Sequence, residues 1–404
     1  MNSVTPAVAP RFVFSAMFTG IAMMTAVLWM PATLGALAQT YGLGTAQLSR
    51  LAFAELAGFL LGTLFTSNSS ILQLRRWVPV GSTLVIVASA WFTLHSDVAP
   101  ASWSRLIAGL GSGIGFGYGL KTCAASERPT RSFGILTAAM SFMMVVGFQF
   151  VAYLTESAGP ATTGVPSDLV RSVATRVFGT YAAVAAAAVL VSWLNRPPQV
   201  GGPGPARASS KRGLPSTNVI IGLLAIGLAF VGQGGVWAFL QVLGISHGFS
   251  VGGVANAMSA FAIVGIGGSV AAAAIPLRWP RSAAIGAALI VLWMGLYTLY
   301  SPASLAWYVA GCAVGGFYWN FALPLILGLL AHMDPTGRGA VLGGTMSSVG
   351  SALGPLLAGQ LIRNADYRPV GWMAGSLCLA SLVCVWAIER RSASTYASVR
   401  PLPP

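Results

Sequence analysis

Charged side chains are scarce in this sequence. Only 7% of its 404 residues are charged, 55% are hydrophobic, and the mean hydropathy is +0.76. Soluble globular proteins carry about 25% charged residues, because a surface in water must be covered by polar groups. The composition therefore excludes a soluble globular protein and predicts a polytopic membrane protein whose main partner is the lipid bilayer.

The sequence also lacks the motifs of several enzyme classes. Its four cysteines lie in apolar runs without metal-ligand spacing, so we interpret them as packing residues and expect no metal. It contains no P-loop motif (GxxxxGK[ST]), so ATP hydrolysis by this chain is not expected. Residues 244–248 match the G-x-S-x-G nucleophile pattern, but they end an apolar span instead of joining a strand to a helix. We expect neither an enzyme nor a cofactor.

Apolar segments long enough to cross a bilayer recur along the whole chain. A linker at 195–217, rich in Pro, Gly, Ser and basic residues, separates an N-terminal half (1–194) from a C-terminal half (218–404). No signal peptide is expected before the first span. The sequence predicts an all-α membrane protein with twelve transmembrane helices in two six-helix bundles. The spans are residues 12–37, 46–67, 77–95, 102–123, 132–154, 177–194, 218–243, 251–274, 281–300, 303–330, 339–362 and 370–388.

The positions of the basic residues predict the orientation of the chain. With the N-terminus in the cytoplasm, sixteen of the twenty-two Lys and Arg residues fall on the cytoplasmic side. The positive-inside rule then places both termini in the cytoplasm. Because these residues lie between spans, the net charge of +14 reflects topology, and no nucleic-acid partner is expected. The six basic residues on the outer side or at outer helix ends are Arg50, Arg105, Arg171, Arg176, Arg363 and Arg368.

The two halves of the chain resemble each other. Each begins with a span in which a tryptophan is flanked at four-residue spacing by two polar residues, and each of these spans leads into a short turn. Two similar halves of the same orientation are typical of secondary transporters, which bind substrate near the membrane midplane between them. The two sets are Thr25, Trp29 and Thr33 in the first span, and Gln233, Trp237 and Gln241 in the seventh.

The fourth span carries an arginine followed by a glycine at every second position from 109 to 119. In lipid the helix keeps its own hydrogen bonds, so the glycines become surfaces on which neighbouring helices pack closely. At helical spacing they form two stripes on nearly opposite faces, one of which consists of Gly109, Gly113 and Gly117. The pattern predicts a helix packed between others, with Arg105 facing protein or a water-filled cavity.

The sequence from Arg105 to Gly113, Arg-x-x-x-Gly-x-Gly-x-Gly, resembles the fourth-helix motif of the major facilitator superfamily. The twelve-span plan with a central basic linker resembles that superfamily as well. The loop after the second span departs from the superfamily's motif there, which usually reads Gly-x-x-x-Asp-Arg-x-Gly-Arg-Arg. Residues 68–77 keep only Arg75 and Arg76 and contain no aspartate. The fifth span lacks the Gly-x-x-x-Gly-Pro pattern of the drug/proton antiporters, which disfavours multidrug efflux. The resemblance implies a transporter whose first and seventh spans line the cavity and whose Arg105 takes part in proton transfer or substrate binding.

Glu55 is the only acidic residue well inside a span. An ionised, unpaired carboxylate is very costly there, so Glu55 needs a proton, a cation or water. Arg105 is a better partner than Arg50, which lies five residues away on a different helix face. Two interpretations stay open: Glu55 and Arg105 couple transport to proton movement, or they form a fixed pair that locks the second span to the fourth.

Polar and aromatic residues within the spans are the candidates for a substrate cavity, since amides and indoles suit a small organic solute. The alternatives are tryptophans that anchor at the membrane interface, amides that join helices, and an Arg50 that reaches out of the membrane. If Arg50 and Arg105 both face the cavity, an anionic substrate is favoured. The cavity candidates are Thr25, Trp29, Thr33, Arg50, Gln149, Gln233, Trp237, Gln241, Asn256, Tyr318, Trp319 and Asn320, and the packing or hinge candidates are Gly109, Gly113, Gly117, Gly350, Gly354 and Pro355.

Together these patterns predict a secondary active transporter that moves a small organic solute with a proton or other ion gradient, by rocking of its two halves. The alternatives are an exporter of amphiphilic compounds and, from a different class, a membrane receptor or scaffold that transports nothing. The short linker and tails favour a monomeric protein of the bacterial inner membrane.

Overall fold

The computed structural model describes residues 10–67, 69–94, 98–127, 129–157, 167–194, 216–275, 279–333 and 338–398. Within these ranges the chain forms helices joined by turns, with an isolated bridge between Arg363 and Asp366 and no strand. The all-helical prediction is therefore confirmed. The predicted linker lies outside the described residues up to position 215.

Fourteen helices follow one another along the described residues. Helices α1 to α3 together correspond to the first predicted span, and α4 to α14 correspond in order to the second to twelfth. They are α1 (Pro10–Met23), α2 (Thr25–Leu28), α3 (Met30–Tyr41), α4 (Thr45–Ser67), α5 (Ile71–Leu94), α6 (Val98–Ala124), α7 (Pro129–Ser157), α8 (Ser167–Leu194), α9 (Thr217–Ser246), α10 (Val251–Ala274), α11 (Arg281–Tyr300), α12 (Leu305–Met333), α13 (Arg338–Leu361) and α14 (Arg368–Ser398).

The first span is interrupted, whereas the sequence predicts one continuous helix over 12–37. Met24 and Trp29 leave the helical region, with ψ of 10° and 5°. Pro31 lies in the first turn of α3, where it has no N–H to donate and restricts the residues before it. The break at Trp29 follows from this proline.

Nine of the described helices are long and apolar enough to cross a membrane: α4, α5, α7 to α12 and α14. Helices α6 and α13 are long but rich in glycine and serine, and α1 to α3 are each short. Large apolar side chains such as Phe142, Leu194 and Tyr297 are exposed, as expected for a surface in contact with lipid. The chain is an integral, multi-pass membrane protein.

Helix α6 packs closely on both of its glycine faces. A Cβ added at Gly109 would lie 2.0 Å from the backbone oxygen of Glu55 on α4, and Gly113 and Gly117 also face α4. On the opposite face, a Cβ at Gly111 would lie 2.2 Å from a backbone oxygen of α5. Only glycine allows helix backbones to approach this closely, so α6 is held between α4 on one side and α1 and α5 on the other.

The C-terminal half uses the same kind of contact. A Cβ at Gly316 of α12 would lie 2.1 Å from a backbone oxygen of α10. Gly350 and Gly354 of α13 lie against α9 at similarly short distances. Pro355 lies inside α13, which continues through it to Leu361. Gly350 and Gly354 therefore join helices within the C-terminal half.

Helices α1 to α3 run in one direction, and from α3 onward successive helices alternate in direction, which gives the bundle two distinct ends. One end carries the turns at 42–44, 247–250 and 362–367, and we call it the sealed end. The other carries Pro10 and the turns at 69–70 and 125–127, and we call it the terminal end. On this terminal end Arg75 donates to the backbone oxygen of Ser192 at the end of α8, at 3.1 and 3.2 Å.

The glycine contact between α4 and α6 makes a direct prediction for stability. Gly109→Ala places a methyl group against the Glu55 carbonyl and is expected to destabilise the protein by about 1–3 kcal/mol through overpacking. Gly134→Ala, on α7, is the control, because nothing lies within 4 Å of the added atom. Apparent Tm values of the purified variants in detergent measure both effects. Equal Tm values for the two variants would contradict the close packing described here.

Candidate functional site

A cavity of about 250 Å³ lies between the two halves. It lies below the sealed end, in the direction of the terminal end. Both halves supply its walls, from Met24, α2, α4 and α7 on one side and from α9, α10, α12 and α13 on the other. Its lining residues are Met24, Val27, Leu28, Leu56, Phe59, Thr137, Met140, Ser141, Met144, Gly234, Trp237, Phe261, Ala262, Trp319, Asn320, Ser347, Ser348 and Ser351.

Polar contacts between α7 and α10 hold the halves together beyond the cavity. The Gln149 amide donates to Oδ1 of Asn256 at 2.9 Å and to Oγ of Ser259 at 3.1 Å. Nearer the sealed end, Oε1 of Glu156 accepts from the backbone N–H of Gly252 at 2.7 Å. That N–H belongs to the first turn of α10, where the helix dipole favours a negative charge. These contacts join the two halves through groups that water can also satisfy.

Two close helix contacts complete the seal. Gln241 of α9 packs on Gly35 of α3, where an added Cβ would lie 2.4 Å from the glutamine side chain. Gly359 of α13 packs on Ser49 of α4 in the same way. The Gln241 side chain is fully buried, and neither its nitrogen nor its oxygen has a partner among the described residues. A buried polar group without a partner costs about 1–3 kcal/mol, so hydration of this amide favours opening of the seal.

An ion pair lies inside the N-terminal half. Nη2 of Arg105 is 2.5 Å from Oε1 of Glu55, and Nε is 3.3 Å from Oε2. Both side chains are buried, and neither belongs to the cavity lining. The guanidinium lies over the ring of Phe178 at 5.1 Å, a cation–π contact, while its Nη1 has no hydrogen-bond partner among the described residues. The pair joins α4 to α6, and it approaches the cavity only through the residues that follow Glu55 on α4.

A second polar chain runs from α8 to α7 through the break in the first span. The hydroxyl groups of Tyr181 and Thr33 are 2.5 Å apart, and Thr33 donates to the backbone oxygen of Trp29 at 3.1 Å. Nε1 of Trp29 donates to the backbone oxygen of Met143 at 2.8 Å, one residue before Met144 of the cavity wall. Trp29 is thus a buried structural link and not an anchor at the lipid interface.

The structure places only some of the predicted cavity residues in the cavity. Trp237, Trp319 and Asn320 line it. Thr25 donates to carbonyl groups at the end of α1, and Gln233 lies beside Cys378 with 4.0 Å between Nε2 and Sγ. The residues that lie elsewhere are Thr25, Trp29 and Thr33 in the N-terminal core, Gln149, Gln241 and Asn256 in the seal, Gln233 and Tyr318 in the C-terminal core, and Arg50 on the exposed surface.

The condition for an anionic substrate, that Arg50 and Arg105 both face the cavity, is not met. Arg50 is exposed and donates from Nε to the backbone oxygen of Ala46 in its own helix. Arg105 is held by Glu55. Sequence reasoning also missed most of the wall, because Met, Phe and Leu in an apolar span give no signal of their own. The lining also contains Ser347 and Ser348 of α13, which the sequence analysis did not select. These two adjacent serines are a polar signal that could have indicated this part of the lining.

Removal of one member of the ion pair is expected to be strongly destabilising. Glu55→Leu leaves Arg105 buried and charged, and loss of one partner of a buried pair costs about 3–5 kcal/mol. Arg105→Met is expected to cost less, because a lone carboxyl can take up a proton whereas a guanidinium cannot lose one. Apparent Tm values of the two single variants and of the double variant form a cycle that measures the coupling. A double variant as unstable as Glu55→Leu alone would contradict the pairing.

No known family profile and no curated protein sequence matches the chain. Solved structures do match its fold. The nucleoside transporter NupG has a TM-score of 0.69 at 11% identity, over 94% of this chain and 99% of NupG. The inward-open xylose transporter XylE from E. coli has a TM-score of 0.69 at 15% identity, over 93% and 95% of the two chains. An inward-facing bacterial homolog of the human lysosomal transporter Spinster has a TM-score of 0.67 at 14% identity, over 98% and 99%.

Each of these proteins is a transporter or a homolog of one, and the similarity extends over nearly the whole of both chains. At these identities the similarity establishes the fold. The described helices, the two-half arrangement and these matches together show that the chain has the fold of the major facilitator superfamily.

Proposed function

We propose that this protein is a secondary active transporter of a small organic solute and that its two halves alternate access to one central site. The observation that carries this proposal is the position of the cavity, which lies between halves that a polar seal joins at one end. A cavity inside one half would keep a fixed opening. A cavity between the halves changes its opening when one half rocks against the other.

The predicted orientation identifies the state that the structure represents. With the termini in the cytoplasm, the sealed end faces outward and the cavity lies on the cytoplasmic side of the seal. Two of the similar structures are described as inward open or inward-facing, which supports this assignment. The structure then represents an inward-facing state, and transport requires that the contacts of the seal break.

A proton gradient acting through Glu55 and Arg105 is the driving force that we propose. Proton uptake by Glu55 removes the negative charge that holds Arg105, whose Nη1 has no hydrogen-bond partner among the described residues. Tyr181 is within electrostatic range of both side chains. The next turn of α4 supplies Leu56 and Phe59 to the cavity wall, so a shift of α4 against α6 changes the cavity.

One observation favours a second candidate function, the export of amphiphilic compounds. The cavity walls are mostly apolar, with aromatic and methionine side chains that suit such compounds. The direction of net flux in cells distinguishes the two functions, since an exporter lowers the internal concentration of its substrate and an importer raises it.

Alternating access is testable without a known substrate. The four native cysteines are replaced by alanine, Ser348→Cys provides a reporter in the cavity, and Gln149→Cys with Asn256→Cys provides a cross-link across the seal. Before oxidation a membrane-impermeant maleimide is expected to label the reporter from either side of the membrane. After oxidation it is expected to label from the cytoplasmic side only. Outer-side labelling that persists after complete cross-linking, or that never occurs, would contradict alternating access and favour the receptor or scaffold.

The same reporter tests the coupling role of Glu55. Glu55→Gln keeps the shape of the side chain but mimics its protonated state. The ratio of its outer-side to its cytoplasmic-side labelling rate is therefore expected to equal the low-pH ratio of the parent at every pH. The ratio is used because it cancels the pH dependence of the reaction between thiolate and maleimide. Glu127→Gln is the control, because Glu127 is an exposed carboxylate at the terminal end, away from the seal and the ion pair. If the labelling ratio of Glu55→Gln depends on pH as it does in the parent, Glu55 and Arg105 have only a structural role.

A further inference from the structure

The cavity is uncharged. Its lining contains no Lys, Arg, His, Asp or Glu in the part of the chain that the structure describes. An ion that entered it would lose hydration without gaining a counter-charge, which is strongly unfavourable in an apolar environment. The nearest buried charges, Glu55 and Arg105, satisfy each other. The lining thus selects against charged solutes.

Aromatic rings form the wall on the C-terminal side. The rings of Trp237 and Phe261 are 4.9 Å apart, and Trp319 lies 6.4 Å and 6.3 Å from these two rings. Phe59 of α4 lies in the opposite wall. Clustered rings of this kind offer faces and edges to another planar ring, and the small volume suits a ligand of one or two fused rings.

Three hydroxyl groups of the lining already use their donor hydrogens on their own helices. Thr137 donates to the backbone oxygen of Phe133, and both Ser347 and Ser348 donate to that of Gly344. These hydroxyl groups keep only oxygen lone pairs for a ligand. The polar wall formed by these three residues therefore accepts hydrogen bonds from whatever the cavity holds.

The α12 and α13 segments of the wall add further acceptors. Nδ2 of Asn320 donates one hydrogen to the backbone oxygen of Gly316 at 3.1 Å, which leaves Oδ1 as an acceptor beside the second N–H of the amide. Four residues after Asn320 comes Pro324, and four after Ser351 comes Pro355. A proline has no N–H for the carbonyl four residues earlier, so the carbonyl groups of Asn320 and Ser351 lack their usual helical donors.

We propose that this cavity binds small, uncharged aromatic molecules that carry hydroxyl or N–H donors. Their rings pack among Trp237, Phe261 and Trp319, and their donors meet Asn320 and the serines of α13. This inference names the substrate class for the transport function proposed above and rests on it for its biological meaning. It replaces the anionic substrate that two cavity-facing arginines would have favoured.

Three compounds that share the indole ring system but differ in charge provide the test: neutral indole-3-ethanol, anionic indole-3-acetate and cationic tryptamine. Binding to the purified full-length protein in detergent is measured by isothermal titration, with micelles alone as the blank. Indole-3-ethanol is expected to bind at least about tenfold more tightly than the acid or the amine, because only the neutral compound enters without loss of ionic hydration. Equal or tighter binding of either ion, or no binding of indole-3-ethanol, would overturn the proposal.

Variants on α12 assign the binding to this cavity. Asn320→Leu removes the side-chain acceptor and is expected to weaken indole-3-ethanol about fivefold to tenfold, the effect of one lost hydrogen bond. Asn320→Asp adds a negative charge and is expected to shift the preference toward tryptamine. Tyr318→Phe is the matched control, because Tyr318 is the preceding residue, is buried and does not line the cavity. If Asn320→Leu and Tyr318→Phe bind equally well, the ligand lies elsewhere and the assignment is wrong.

Binding in detergent requires no flux, so the two proposals fail separately. Indole-3-ethanol can bind with the expected charge preference and the expected effect of Asn320→Leu and still not cross the membrane of proteoliposomes. In that case the assignment of the substrate class stands and transport of this compound fails. If it does not bind, the assignment fails whatever the labelling of the cavity shows about alternating access.

Discussion

The contact between α4 and α6 is the constraint on which the N-terminal half depends. Arg105 stands four residues before Gly109, so it shares a helix face with the glycines that admit the backbone of α4. That approach brings Glu55 within reach of the guanidinium, and the two charges neutralise each other where lipid offers no water. The glycines and the ion pair are thus parts of one contact.

Charge, binding surface and gate occupy three different places in this protein. The ion pair lies inside the N-terminal half, the uncharged cavity lies between the halves, and hydrogen bonds such as that of Gln149 with Asn256 close the sealed end. Under the proposed mechanism, this separation lets a proton act on the scaffold without entering the solute site. The amide of Gln241 is buried without a hydrogen-bond partner in the part of the chain that the structure describes. It therefore opposes the seal, which keeps the closed end from becoming too stable to open.

Much of the fold was predictable, because apolar length, glycine spacing and an intramembrane arginine each have few physical solutions. The break at Trp29 was not predicted, although Pro31 is its cause. The site was less predictable: polar residues such as Thr25 and Thr33 satisfy themselves within the helices, and methionines line the cavity without a sequence signal. Spacing along a helix reveals which residues share a face, but it does not reveal which neighbour that face meets.

The central claim is that the two halves exchange access to one cavity, and distances between spin labels test it most directly. One pair of labels, at Ser157 and Ser246, spans the sealed end, and another, at Arg131 and Ala274, spans the terminal end; all four positions are exposed. In lipid nanodiscs, electron–electron double resonance at low and neutral pH is predicted to show two populations, in which one distance lengthens as the other shortens. Distances that stay fixed, or that lengthen together at both ends, would contradict the account.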